Sequence, residues 1–313
     1  EMRVVCLLAI VALAYGRHTR KKHTTRERGE LCSSRASAVP VVLWHGMGDS
    51  CCNPLSMGSI KSMLETQIPG VYVHSLELGE NIASDTERGF LANMNDLVKL
   101  ACDKIANDSA LSQGYNAVGF SQGGLFLRAV AQRCPNPPMK NLISIGGPQQ
   151  GVFGLPYCLG PTTLCNTIRK LLDFGAYVSY VQRNVVQAQY WHDSNADKEY
   201  RTKSIFLADI NNETPTPNPV YKRNLLSLKN LVLIKFSNDH MVVPKDSEWF
   251  GYYKDGDVAT ILPYNETRLY KKDLIGLRKL EETGRLHFIE FPGEHLHVTE
   301  ELFENEITKK FLV

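Results

Sequence analysis

The chain has 313 residues, 43% hydrophobic and 22% charged, which suits one large globular domain or two small ones with a sizeable core. Its formal net charge of +2 is unevenly placed: residues 1–30 carry +4 and the rest −2. A basic tail on a near-neutral body argues against nucleic-acid binding, which needs its basic stripe on the folded domain.

Arg3 precedes an apolar run from Val4 to Ala14 that is too short to span a bilayer. With the small-x-small pattern Ala12-Leu13-Ala14 it reads as a secretory signal peptide over residues 1–14. The basic stretch within 15–35 reads as a disordered leader. Entry into the secretory pathway makes the later cysteines candidates for disulfides. There are seven of them, Cys32, Cys51, Cys52, Cys102, Cys134, Cys158 and Cys165, so one thiol is left over. No CxxC pair has a matching histidine cluster, so no metal is expected. The adjacent pair Cys51-Cys52 is open to a vicinal disulfide or to two separate partners. Sequons at Asn107, Asn212 and Asn265 agree with secretion.

In chain order, Val39 to Trp44 and Val71 to Leu76 read as buried strands, with a helix over Met57 to Gln67 between them. Phe90, Met94, Leu97, Val98, Ala101 and Ile105 share one helical face. Tyr115 to Val118 reads as strand, Leu125 to Ala131 as helix and Asn141 to Gly146 as strand. This alternation predicts an α/β fold with a mostly parallel sheet covered on both faces. The rhythm breaks over 148–229, which mixes helical patches (Thr167 to Ala176, Val178 to Trp191) with a Pro-rich stretch at 214–219. It resumes with strands at 231–236 and 286–291. The domain reading is therefore an α/β core over 36–147 and 230–313, with 148–229 inserted as a helical cap; the serine turn within that core makes it an α/β-hydrolase one.

Gly119-Phe120-Ser121-Gln122-Gly123 is a G-x-S-x-G between an apolar strand and a helix, the context of a nucleophile elbow. A serine hydroxyl needs a base, and the base an orienting acid; in this fold they follow in the order Ser, Asp/Glu, His. Strand 231–236 is followed by Ser237-Asn238-Asp239, and strand 286–291 by Pro292-Gly293-Glu294-His295. Ser121, Asp239 and His295 are thus the expected triad, with Asp246 and His297 as rivals for acid and base. His240 abuts Asp239 too closely to partner it. His45-Gly46-Met47-Gly48 follows the first strand, where such hydrolases carry an oxyanion donor, so the Met47 and Gln122 N–H groups are the expected pair. His45 itself, preceding the acid in the chain, reads as structural.

Longer motifs then carry a resemblance. His45 to Gly58, Gly114 to Gly124, Arg128 to Cys134, Gly151 to Pro156, Tyr190 to Asp193 and Asp246 to Gly251 resemble the lysosomal palmitoyl-protein thioesterase family. The similarity runs from about Val39 to the C-terminus and leaves the leader unmatched. Two departures stand out: the family's sequon over the acid loop is missing at Asn238-Asp239-His240, and the 214–219 stretch is expanded.

The resemblance implies the same triad and disulfides pairing Cys51 with Cys52, Cys102 with Cys134 and Cys158 with Cys165, leaving Cys32 spare. It implies hydrolysis of long-chain fatty acyl groups from S-acylated proteins or peptides in the lysosome, with some secretion. No cofactor, no nucleic acid and no transmembrane segment is expected, and a sorting receptor would read the glycans. A triad by itself also serves oxygen-ester lipases and acyl-CoA thioesterases, and the fold includes silent lipid-binding relatives. For the acyl chain, the apolar stripe of the 148–229 insertion is the expected trench, with Val186 and Trp191 in its lining and Met47 where it meets the oxyanion hole.

Overall fold

The computed structural model describes residues 38–154 and 162–313. Six strands form one parallel sheet in the order β2-β1-β3-β4-β5-β8. They are β1 (Val41–Trp44), β2 (Val73–Ser75), β3 (Tyr115–Phe120), β4 (Met139–Ile145), β5 (Asn230–Phe236) and β8 (Leu286–Phe291). Between β5 and β8 the chain adds an antiparallel hairpin, β6 (Tyr252–Lys254) with β7 (Asp257–Leu262). The sequence reading missed it, because β7 is largely exposed and carries no buried alternation.

The apolar runs become strands because both faces of the sheet are covered. Successive side chains alternate between two cores, as a two-residue period demands. Val42, Trp44, Ala117, Leu142, Leu231 and Leu233 enter one cluster, while Val41, Leu43, Val118, Ile143, Val232 and Ile234 enter the other. The second cluster is closed by Met57 and Leu64 of α1 (Met57–Gln67) and by Phe303, Ile307 and Leu312 near the C-terminus. After β2 come α2 (Ile82–Arg88), α3 (Met94–Asn107) and, following β3, α4 (Gln122–Arg133). The face foreseen from Met94 to Ile105 is the buried side of α3, and Cys102 on α3 is disulfide-bonded to Cys134 just beyond α4.

The segment between β4 and β5 supplies α5 (Thr162–Gly175), α6 (Ser179–Asn184), α7 (Val186–Gln189), α8 (Asp197–Lys203), α9 (Leu207–Ile210) and α10 (Pro219–Leu225). The helical patch expected from Val178 to Trp191 is broken at Val185, which takes an extended backbone. Buried Arg128 on α4 ties the segment down: its guanidinium donates to the Gln149 side chain and carbonyl, the Ile210 carbonyl and Asn211 Oδ1. No helix among the described residues is long and apolar enough to cross a membrane. The signal-peptide, leader and Cys32 readings, and the Cys158–Cys165 pairing, lie outside the described residues.

Candidate active site

Ser121 stands between β3 and α4 with φ +52° and ψ −127°, a backbone strain of about 1–3 kcal/mol for a residue with a Cβ. The flanking glycines make the turn fit. A Cβ on Gly123 would lie 2.3 Å from the Trp44 carbonyl oxygen, and one on Gly119 would lie 2.5 Å from Gly123. Without side chains there, α4 starts directly against β1 and β3.

The acid and base lie on loops beyond the C-terminal ends of β5 and β8. These loops are joined, the Asn238 N–H donating to the Gly293 carbonyl at 3.0 Å. His295 Nε2 lies 3.0 Å from Ser121 Oγ, and His295 Nδ1 bonds Asp239 Oδ2. With Nδ1–H donating to the carboxylate, Nε2 is free to accept the serine proton. Asp239 Oδ1 accepts from the Met241 and Val242 N–H groups at 2.6 and 2.9 Å. Burial by itself would raise the Asp239 carboxyl, but the His295 hydrogen bond leads the effects that outweigh it and hold it at about 2.

The rivals stand apart. Asp246 contributes to the field at Tyr253 and makes no contact with His295, while His297 is exposed and packs beside Gly293. His45 is buried: its Nδ1–H donates to the Gly46 carbonyl at 2.9 Å, and its Nε2 lies 3.3 Å from Asp85 Oδ2. Asp85 also accepts from the N–H groups of Cys51, Leu78 and Gly79. Burial works against the His45 charge, yet the bond and charge of Asp85 raise its pKa above the ordinary value. The pair thus fixes the loop that carries Met47. Cys51 and Cys52, in the same loop, are bonded to each other.

Met47 lines the cavity that opens at Ser121, and Gln122 begins α4 beside it. The Gln122 side chain donates to the Gly89 carbonyl and accepts from the Tyr190 hydroxyl. The cavity is about 430 Å³ and mostly apolar, with Leu55, Met57, Ile60, Phe90, Phe120, Met241, Leu296 and Val298 around Ser121 and His295. Its described lining comes from the β1 loop, α1, Phe90 and the two catalytic-side loops.

Val186 and Trp191 do not line it. Val186 is fully buried in the core, its N–H bonded to the Phe90 carbonyl. Trp191 packs edge-on against Phe153 and faces a separate cavity with Leu172 and Tyr177. Of the apolar stripe expected to be a trench, Val181 and Val185 are buried with Ile168 and Leu172 in a cluster that also takes in Phe90 and against which Met47 packs, while Phe174 and Val178 are exposed.

Asn107 and Asn265 are exposed. Asn212 corrects the expectation of three glycan sites: it is 6% exposed, and its Nδ2 donates to the carbonyls of Asn218 and Leu274. The nitrogen a glycan would use is committed to the fold. Sequence reasoning also passed over Glu248, fully buried behind Asp239, although it lies in the quoted motif Asp246 to Gly251.

The sequence model described as palmitoyl protein thioesterase matches residues 40–295. The chain is 61% identical over 310 residues to palmitoyl-protein thioesterase 1 of Caenorhabditis elegans, covering 99% of this chain and 98% of that one. It is 39% identical to palmitoyl-protein thioesterase 3 of Dictyostelium discoideum (80% and 82% covered) and 30% identical to the human lysosomal thioesterase PPT2 (80% of each covered). A strained serine bonded to a histidine and an aspartate, under motifs shared along nearly the whole chain, makes this protein a member of the palmitoyl protein thioesterase family.

Proposed function

We propose that this chain hydrolyses the thioesters that join long-chain fatty acyl groups to protein cysteines. The observation that carries the reading is the continuous Ser121–His295–Asp239 chain opening into an apolar cavity. His295 Nε2 takes the Ser121 proton as Oγ attacks the thioester carbonyl carbon. The resulting oxyanion is received by the Met47 and Gln122 N–H groups. The C–S bond breaks, the cysteine sulfur leaves with the proton from His295, and Ser121 holds the acyl group as an oxygen ester. Water, deprotonated by His295, then releases the fatty acid and restores the serine.

Apolar side chains around Ser121 favour a hydrocarbon, since each buried methylene contributes about 0.8 kcal/mol. Met47 and Phe90, Leu55 and Ile60 of the β1 side, and Leu296 and Val298 of the β8 side are assigned to the acyl chain. Residues 148–229 are assigned as a cap that supports Met47 from behind. Exposed sequons at Asn107 and Asn265, and relatives named as lysosomal thioesterases, support delivery to the lysosome by a receptor that reads glycans.

The test compares hydrolysis of a palmitoyl-cysteine peptide, palmitoyl-CoA and a long-chain oxygen ester by the purified protein. The reading requires the peptide thioester to have the highest kcat/KM. A preference for the oxygen ester makes the protein a lipase, and no turnover of any of the three removes the enzymatic reading.

A further inference from the structure

Behind the acid of the site lies a second acid that the proposed reaction does not use. Glu248 sits in the short 3₁₀ helix Lys245–Trp249 that follows β5, and it is 0% exposed. Its Oε2 accepts the Phe236 N–H at 3.0 Å. Its Oε1 is buried and accepts no hydrogen bond, while its carboxyl, the Asp239 carboxyl and the His295 ring offer ligand atoms within 4.8 Å of one another. Two adjacent buried carboxylates cannot both stay ionised at ordinary cost. One of them must hold a proton.

Geometry decides which. Asp239 is already served by two backbone N–H groups and by His295, all of which favour its charge. Glu248 has one N–H donor, and one of its oxygens lies within 4.8 Å of an Asp239 carboxylate oxygen. The cation facing this region is Lys235 of β5, but its Nζ lies 3.9 Å over the Trp249 ring and 3.4 Å from Glu290 of β8, which shares its charge. Lys245 on the same short helix spends its ammonium on the Ser237 carbonyl. His240 is exposed on the acid loop, and Asp246 brings only further negative charge toward Tyr253.

Resting on the thioesterase reading above, we propose that Glu248 is a positioning residue: a neutral acid whose O–H donates to the Asp239 carboxylate and holds it on His295. Burial first, and then the neighbouring Asp239, push the Glu248 carboxyl well above the usual range, in agreement with that assignment. The arrangement does two things. It completes the set of donors that aims Asp239 at His295. It also draws charge from Asp239, so that the carboxylate attracts the imidazolium less strongly than a bare one would. No proton leaves Glu248 during the reaction.

The test uses Glu248→Gln, whose amide can accept from Phe236 and donate to Asp239, and Glu248→Met, which fills the space and donates nothing. With a palmitoyl thioester, Glu248→Met should lower kcat by about 10- to 100-fold, the effect of partners one step removed from a reacting group, with KM held. Its acid limb should move up by about one pH unit, because an unrelieved Asp239 charge favours the protonated base. Glu248→Gln should recover most of the lost kcat and leave the acid limb in place. The infrared difference spectrum of wild type minus Glu248→Gln at pH 7 should contain the carbonyl stretch of a protonated carboxyl.

A difference spectrum holding only carboxylate bands overturns the proposal, as does an acid limb displaced downward in Glu248→Gln. So does a Glu248→Met protein with unchanged kcat and pH profile. If the methionine variant does not fold, the glutamine variant's spectrum and pH profile decide alone. The spectrum is independent of substrate, so a failed thioesterase reading and a failed Glu248 assignment give different results.

Discussion

Ser121 owes its exposure to a backbone strain that the glycines around it accommodate, and its side chain fills no core space. Ser121→Ala should therefore abolish thioester hydrolysis with an unchanged circular dichroism spectrum and melting temperature; residual wild-type turnover would remove the nucleophile. Asp239→Asn should lower kcat by about 10⁴-fold through the wrong imidazole tautomer, whereas Asp246→Asn should stay near wild type, since it touches neither His295 nor Asp239. The two buried acids also leave opposite marks on stability. The Asp239 carboxyl is depressed from 3.8 to about 2, so its contribution is complete above the unfolded value and is lost as pH falls toward 2. Glu248 is raised, so the folded protein keeps a proton that the unfolded chain releases near 4.5, and stability falls as pH rises above that value. Urea midpoints measured across that range should fall more steeply for wild type than for Glu248→Gln, and equal slopes would mean that Glu248 is ionised in the fold.

At the scale of elements, the parallel strands and the three loops bearing Ser121, Asp239 and His295 were legible because buried apolar runs and turn residues are local signals. Val41 to Trp44 and Leu231 to Phe236 announce themselves in this way, and their C-terminal ends fix where chemistry can occur. The apolar cavity at Ser121 was not legible. Val181, Val185 and Val186 repeat at a spacing that serves a groove or a core equally, and only the packing of Val181 and Val185 with Phe90 and Ile168, and of Val186 in the main core, shows that they are core. Conversely, Leu55 and Ile60 look like ordinary residues around a helix start, and only the fold places them on the cavity that opens at Ser121. Glu248 was hidden for a similar reason, since nothing in a loop glutamate reports that β5 will fold it onto Asp239. The correction changes the mutational expectation. Ile60→Trp should reduce turnover of a palmitoyl thioester far more than that of a short-chain one. Val186→Trp should instead overpack the core at a cost of about 1–3 kcal/mol and lower the melting temperature, with equal losses on both substrates. A chain-length effect at Val186 and none at Ile60 would restore the insertion as the acyl site.

Across the whole molecule, the proposed catalytic residues are drawn from distant parts of the chain: Ser121 and His295 are separated by 174 positions and Asp239 and His295 by 56. They meet only when β3, β5 and β8 share one sheet. Arg128 serves the same long-range order, holding carbonyls of the 148–229 segment from α4; removing its charged donors by Arg128→Met should cost on the order of 3 kcal/mol, read as a lower urea midpoint. The strands that carry the site are not equally secure, however. β3 lies between two partners and is buried throughout, whereas β8 ends the sheet order, pairs with β5 alone and is only half-buried along its middle. His295 hangs from that outer strand. An edge strand opens at lower free energy than the strands inside it, and a shift of about 1 Å suffices to disable a catalytic contact. On heating, then, the enzyme should fall silent while most of it is still folded, its inactivation midpoint lying below its unfolding midpoint, and cooling from between the two should return activity without refolding the sheet.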